Sequence, residues 1–418
     1  MIKTIRGTLF IFAIGSSAFA SSATELFREA SFYMSFHYHG YSNVKPEELG
    51  RTLAAELETA CKPKGEACSF ADARPFIQRL ARGMQDGHTF FISPGNYRNT
   101  LAELSGQNIN PNPVYGITFG NLNSRGEISV QDVVAESPAF KGGLRPFDRV
   151  VGVMGKRVAN LSELRALLNT SEPVTLEVVR GDAANPVRFH ATMQRTRLEK
   201  TNLPFLYQPP NAPAGVVALR IPTFTGSNDI APRVHELVAT AKSQNAKAII
   251  IDVRNNPGGE ETECYGAASA FVGRAVNINE TRLVRLEVGF DGGRFIGNDP
   301  KDLNRYDIAK PALWTEQTVV LTNESTASCG ELLAYMLQYK RKARVLGEVT
   351  YGVLDTATEF WQLSDQSALA ITYVRTLNPD GSRVPERVTP DVLLRDDPNT
   401  AFESGRDPLF ERAYTLLQ

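Results

Sequence analysis

The sequence has no excess of either charge, with 45 Lys and Arg against 46 Asp and Glu in 418 residues. That balance excludes the one-signed field by which a protein gathers nucleic acid or an anionic membrane surface, so no nucleic-acid partner is expected. Histidine (5) and cysteine (4) are scarce. With no C-x-x-C or H-E-x-x-H spacing, neither a zinc site nor any other metal is expected. The phosphate-cradling patterns G-K-[ST] and G-x-G-x-x-G are missing as well, which argues against a nucleotide loop, and no cofactor is expected. Internal repeats and low-complexity segments are lacking. Beyond residue 20 no apolar run approaches the about 20 residues that span a bilayer, so stable membrane insertion is not expected.

What is present begins at the N-terminus. Lys3 and Arg6 precede the apolar run Leu9 to Ile14, and small residues follow, ending in Ala18-Phe19-Ala20. This charged, apolar and A-x-A order describes a secretory signal peptide over residues 1–20, and hence a periplasmic or secreted protein. The alternative, a membrane anchor, needs a longer apolar stretch. In an oxidising compartment Cys61 and Cys68, which bracket the turn-prone Lys-Pro-Lys-Gly-Glu-Ala, are expected to pair. Cys264 and Cys329 lie in helical patterns, and their state is open.

Three regions follow. Residues 21–105 are mostly helical, with apolar residues at helical spacing over 43–60 and 71–84. Residues 106–196 open on a Gly, Asn and Pro-rich stretch. They continue as short strands (128–134, 150–153, 174–179, 187–193) around one helix that starts with Asn160 and Glu163 at capping-box spacing. Residues 197–418 alternate strand and helix. The apolar run 247–253 reads as a strand buried on both faces, followed by the helix 260–272. A second strand (318–322) and helix (330–339) repeat the unit, and strands follow at 343–347 and 368–374.

Two strand-to-helix junctions could do chemistry. The first is Asp252-Val253-Arg254-Asn255-Asn256-Pro257-Gly258-Gly259, where glycines let backbone N–H groups approach a ligand at a helix start. The second, Asn323 to Glu331, places Ser328 where a hydroxyl is exposed beside free helix N–H groups. Taken alone, a serine here is more often a helix cap.

Thr326-Ala327-Ser328-Cys329-Gly330-Glu331 resembles the S-A-S-A-S-E motif of the C-terminal processing (tail-specific) serine peptidases, with Ser328 at the nucleophile position. The segment 252–259 is similar to that family's D-x-R-x-N-x-G-G turn, Leu219 to Phe224 to its core-entry strand, and Pro390-Asp391 to its closing V-x-P-D. Tyr115-Gly116-Ile117-Thr118-Phe119 and Ser137 to Asp148 look like a PDZ domain. The resemblance implies an α/β fold, a crotonase/ClpP-like β/α core with an inserted PDZ domain (106–196) and a helical N-terminal region. It implies an oxyanion hole from the backbone N–H groups of Gly258, Gly259 and Cys329. It further implies capture of protein or peptide substrates with accessible C-termini at Tyr115, Gly116, Ile117, Thr118 and Phe119. An oligomer is compatible with it.

One position departs from the family. Where most members carry the general-base lysine of T-F-G-K-G, this sequence has Thr350-Tyr351-Gly352-Val353, and valine takes no proton. Asp86-Gly87-His88-Thr89 resembles the D-G-H-T element of the tricorn-like relatives, in which a histidine activates the serine, so His88 is the expected base. By the same analogy Glu386 would orient it through a hydroxyl, while Thr89 or Asp86 would replace the serine that precedes the histidine in tricorn. A rate falling below about pH 6.5, the unperturbed histidine range, is expected. His37 and His39 have no nearby acidic partner in sequence and read as structural; His190 and His235 get no role. The competing readings are a catalytically inactive relative that binds peptides or lipids and, more remotely, a crotonase-fold enzyme acting on thioesters.

Overall fold

The computed structural model describes residues 21–110, 112–182, 186–297 and 306–418; residues 1–20, where a signal peptide is expected, lie outside them. Three sheets divide the chain. The first has six strands in the order Val392–Leu393, Arg344–Gly347, Gln317–Thr322, Ala248–Asp252, Val216–Arg220 and Phe205–Tyr207, all parallel except the last. Every residue of Ala248–Asp252 is buried, as a strand covered on both faces requires. Helices Ile230–Ser243, Glu261–Val272 and Cys329–Tyr339 pack on one face through Val234, Ala268 and Leu333. The C-terminal helices Pro398–Ser404 and Pro408–Leu416 cover the other through Phe402 and Phe410. The carboxyl ends of the strands, where open α/β sheets carry their sites, hold both junctions seen in the sequence.

The second sheet is antiparallel, running Phe90–Ile92, Ala368–Leu377, Arg274–Glu280, Arg285–Asp291 and Arg294–Gly297, with Thr356–Gln362 also paired to Ala368–Leu377. Helices Ser22–His37, Pro46–Cys61 and Phe70–Gly83 pack Leu26, Leu53 and Ile77 against its Leu369 and Ile371. The Cys61–Cys68 disulfide forms, closing the turn between the second and third of these helices. Most of this sheet was not expected from the sequence. Its strands are short or half-exposed, as in Thr356–Gln362, and lack the apolar alternation that marks a strand.

The third sheet, in the order Ile117–Leu122, Ile128–Val133, Arg149–Val153, Val174–Arg180 and Val187–Met193, encloses a small core with helix Leu161–Leu168. The Asn160 side chain caps that helix by accepting the Glu163 N–H, as the spacing predicts. An ionic chain, partly exposed at Asp132 and buried beyond it, joins this unit to the first sheet. Asp132 meets Arg220 (3.2 Å), Arg220 approaches Asp252 (3.8 Å), and Asp252 binds Arg254 (2.7 Å), which also reaches Asp396 (3.0 Å) and Asp407 (2.7 Å).

Candidate active site

Ser328 leaves the strand Gln317–Thr322 through a tight turn and stands immediately before the helix Cys329–Tyr339. Its backbone is at φ 51°, ψ −118°, a left-handed conformation that a non-glycine residue holds only when its surroundings impose it. The imposing group is Glu331. Its fully buried carboxylate accepts from Ser328 N (2.8 Å), Thr350 Oγ1 (2.5 Å), Gly352 N (2.9 Å) and Val353 N (3.0 Å). Burial pushes the Glu331 carboxyl above its ordinary value, and the four donors pull it back only in part. The motif's last letter thus builds the elbow, a role that its position in the sequence did not reveal.

The two junctions are laced together. Ala327 donates its N–H to Asn256 O (2.9 Å), Asn255 N to Asn323 Oδ1 (2.9 Å), Asn323 Nδ2 to Asn255 Oδ1 (3.0 Å) and Thr326 Oγ1 to Val253 O (3.0 Å). This brings the Gly258 backbone against Ser328: a Cβ added to Gly258 would lie 2.7 Å from Ser328 Cβ and 3.1 Å from Cys329 N. One expected donor is corrected here. The Gly258 N–H is spent on Asn256 Oδ1 (2.8 Å) and is not free to hold an oxyanion. Gly259 differs. Phe224 bonds to its neighbours, donating to Gly258 O (2.8 Å) and accepting from Glu260 N (3.0 Å), so the Gly259 N–H points away from that strand. Among the described residues, neither it nor the Cys329 N–H takes an acceptor.

Gly259 is irreplaceable on steric grounds. Its φ is +148°, and a Cβ there would meet the Phe224 carbonyl carbon at 2.1 Å. Gly259→Ala is therefore expected to cost about 1–3 kcal/mol in backbone strain alone, with turnover lost as the turn moves. Thermal unfolding and a cleavage assay check this, and a wild-type Tm with wild-type turnover would contradict it.

His88 is buried. It follows the turn that ends helix Phe70–Gly83 and precedes the strand Phe90–Ile92, whose pairing with Ala368–Leu377 fixes its backbone. The His88 N–H donates to Asp86 Oδ1 (2.9 Å), which also accepts from Thr372 Oγ1 (2.8 Å). Thr89 Oγ1 donates to Thr372 Oγ1 (3.1 Å) and accepts from the Thr372 N–H (3.1 Å), so both neighbours of the D-G-H-T element are committed to the sheet. The ring's Nδ1 is 2.9 Å from Thr356 Oγ1, and among the described residues Nε2 has no hydrogen-bond partner. Burial lowers the imidazole pKa to about 4, against a weaker opposing pull from Asp86.

His88 and Ser328 converge on one segment. Val353 takes its N–H to the Glu331 oxygen that also holds Ser328, and its side chain lies against Gly87, where an added Cβ would meet Val353 Cγ1 at 2.7 Å. Glu386 is a second correction. Its carboxylate is exposed and pairs with the adjacent Arg387 (2.6 Å), so it does not orient the ring; the hydroxyl at Nδ1 belongs to Thr356. Cys264 and Cys329, left open by the sequence, are bonded to one another.

The remaining candidates sit elsewhere. Among the described residues, Ile117–Leu122 is an edge strand bonded only to Ile128–Val133. Just before it Tyr115 is buried, its hydroxyl on Leu168 O (3.2 Å), and Gly116 is at φ +72° against Ser137. His37 stacks on Trp361 (4.4 Å), and His39 faces Glu280 (3.8 Å). No cluster of three metal-ligating side chains occurs among the described residues.

Known proteins agree with this architecture. Residues 215–394 match the model of peptidase family S41, and residues 129–180 match a PDZ domain. The chain is 29% identical over 329 residues to a "Probable CtpA-like serine protease" of Staphylococcus aureus, the match covering 76% of this chain and 59% of that one. To a carboxyl-terminal-processing protease of Synechocystis sp. it is 25% identical over 357 residues, covering 82% and 76%. A solved structure assigned to the S41 proteases, from Bacteroides fragilis, superposes over 99% of both chains with a TM-score of 0.56 at 14% identity, a likeness of fold. Residues 215–394 thus resemble peptidase family S41 and residues 129–180 a PDZ domain, and the chain is similar over most of its length to carboxyl-terminal-processing (CtpA-like) proteases. It spans about three-fifths (59%) of the length of the Staphylococcus aureus relatives.

Proposed function

We propose that this protein is an exported serine endopeptidase of the C-terminal processing type. The observation that carries the reading is the left-handed elbow at Ser328, with the unpaired N–H of Cys329 beside it. Ser328 Oγ attacks the scissile carbonyl while His88 Nε2 accepts the hydroxyl proton. The Gly259 and Cys329 N–H groups hold the developing oxyanion, a contribution of about 3–4 kcal/mol per donor in comparable sites. His88 returns the proton to the leaving amine, and water then hydrolyses the acyl-enzyme with the same ring as base. Thr356 fixes the ring through Nδ1, the part that a carboxylate plays in other triads. The substrate's C-terminal segment adds as a strand along the free edge of Ile117–Leu122, its carboxylate at the Tyr115–Gly116 turn.

A fluorophosphonate probe tests the chemistry, and an unfolded protein substrate tests the recognition. Labelling should map to Ser328, and amidating the substrate's terminal carboxylate should raise KM while leaving kcat nearly unchanged. Equal KM for free and amidated tails would remove the PDZ role. A second reading, an inactive peptide- or lipid-binding relative, is favoured by one observation: Val353, at the position of the family's lysine, offers no base and packs on Gly87. A folded protein that stays unlabelled across the pH range would establish that reading instead.

A further inference from the structure

We propose that the disulfide between Cys264 and Cys329 positions the oxyanion hole, so that turnover depends on this bond being oxidised. The inference rests on the peptidase reading above. Cys329 is the residue after Ser328, and its own N–H is one of the two free donors. Cys264 lies in the first turns of the helix Glu261–Val272, five residues beyond Gly259, whose N–H is the other. The bond therefore spans 65 residues of sequence to clamp together the two helices whose starts carry the two donors. The polar lacing described above joins these junctions on their loop side, through Asn255, Asn256, Asn323 and Ala327. The disulfide joins them on their helix side. The two bonds of this chain differ in this respect, since Cys61–Cys68 closes only a local turn in the N-terminal helices.

The packing gives the clamp its leverage. Cys264 is fully buried and Cys329 is 5% exposed, inside a core formed by Leu332, Leu333 and Ala268. Breaking the bond leaves two thiols that require van der Waals separation in a space holding bonded sulfurs, so the helix starts must part. A displacement of about 1 Å in a positioned group costs about 10²-fold in rate. The reaction is a thiol–disulfide exchange with a dithiol such as dithiothreitol. One reductant thiolate attacks a sulfur of the pair and forms a mixed disulfide; the second displaces it. Two electrons and two protons pass to the protein, leaving two cysteine thiols and a cyclic oxidised reductant. Cys264 thus acts as a positioning residue through its partner.

The test measures kcat and KM on an unfolded protein substrate for the native protein, after dithiothreitol and after reoxidation. Thiols are counted by alkylation and mass spectrometry, at a temperature well below the Tm of the reduced form. Reduction should lower kcat about 10²-fold with KM within about twofold, and reoxidation should restore it. The variant carrying Cys61→Ser and Cys68→Ser should keep the full response, while Cys264→Ser, which keeps an unbonded γ atom against Cys329 Sγ, should start in the low-kcat state. A bond that merely stabilises the fold would lower Tm and leave kcat unchanged, which would overturn the proposal. So would native, active protein in which Cys264 and Cys329 alkylate as free thiols. A protein that neither turns over nor labels with fluorophosphonate in its oxidised form overturns the peptidase reading itself, a pattern distinct from equal activity in both redox states.

Discussion

Ser328→Ala is expected to lower kcat by about 10⁶-fold, the loss found when the nucleophile of a serine peptidase is removed, and to abolish fluorophosphonate labelling. The fold should survive. The elbow is held by the Ser328 N–H on Glu331 and by the lacing of Asn255, Asn256 and Asn323, and none of these bonds uses the side-chain hydroxyl. Circular dichroism and Tm should match the parent. Residual cleavage above about one part in 10⁴ in a rigorously purified variant would mean that the reaction has another nucleophile.

The second large effect belongs to the base. His88→Ala should lower kcat about 10³-fold. Unlike the serine change it should lower Tm as well, because it empties a buried space and leaves Thr356 Oγ1 without its ring partner. The parent's pH profile supplies the confirming sign. Burial holds the ring's pKa at about 4, so in the free enzyme the base is neutral and competent down to that value. The acid limb of kcat/KM should therefore fall near pH 4 and not near the ordinary histidine value that the sequence suggested. Stability follows the same direction. The unfolded chain takes up the proton at about 6.5, so the stability contributed by the neutral ring is complete above that value and drains away as the pH falls toward about 4. A limb near pH 7–8 that persists in His88→Ala would point to a desolvated lysine.

The parallel core was legible because burial on both faces leaves a plain mark: Ile249-Ile250-Ile251 reads as an interior strand with no help from its neighbours. The glycines and Ser328 were legible because each junction combines a strand end, a turn and a helix start. Less visible was the antiparallel sheet that carries Thr356, since Arg274–Glu280 buries three successive residues and Thr356–Gln362 is half-buried along most of its length, so neither shows a two-residue period. Hydrogen-bond direction was not visible at all. No motif indicates that Asn256 turns back to take the Gly258 N–H, or that Glu331 collects four donors. Glu386 misled through proximity in sequence to the closing motif: the backbone joins Leu354 N to Glu386 O (2.9 Å), while the side chain turns out to Arg387. The Cys264–Cys329 bond was hidden by its 65-residue span and by the helical pattern at both ends.

The chain of charges from Asp132 through Arg220 and Asp252 to Arg254 bears on how the protein can be divided. A catalytic fragment cut free of its small β domain would keep Arg220 inside and forfeit one of that guanidinium's two carboxylates. Arg220 keeps the Asp252 carboxylate and the Asp252 and Arg254 carbonyls, and Asp132 is itself partly exposed, so the loss weakens the fold by about 1 kcal/mol or less. Separate expression of the two halves would therefore need Arg220 kept, since its guanidinium still holds the Asp252 and Arg254 carbonyls, and a slightly weakened fragment would reflect the severed seam before anything about its chemistry.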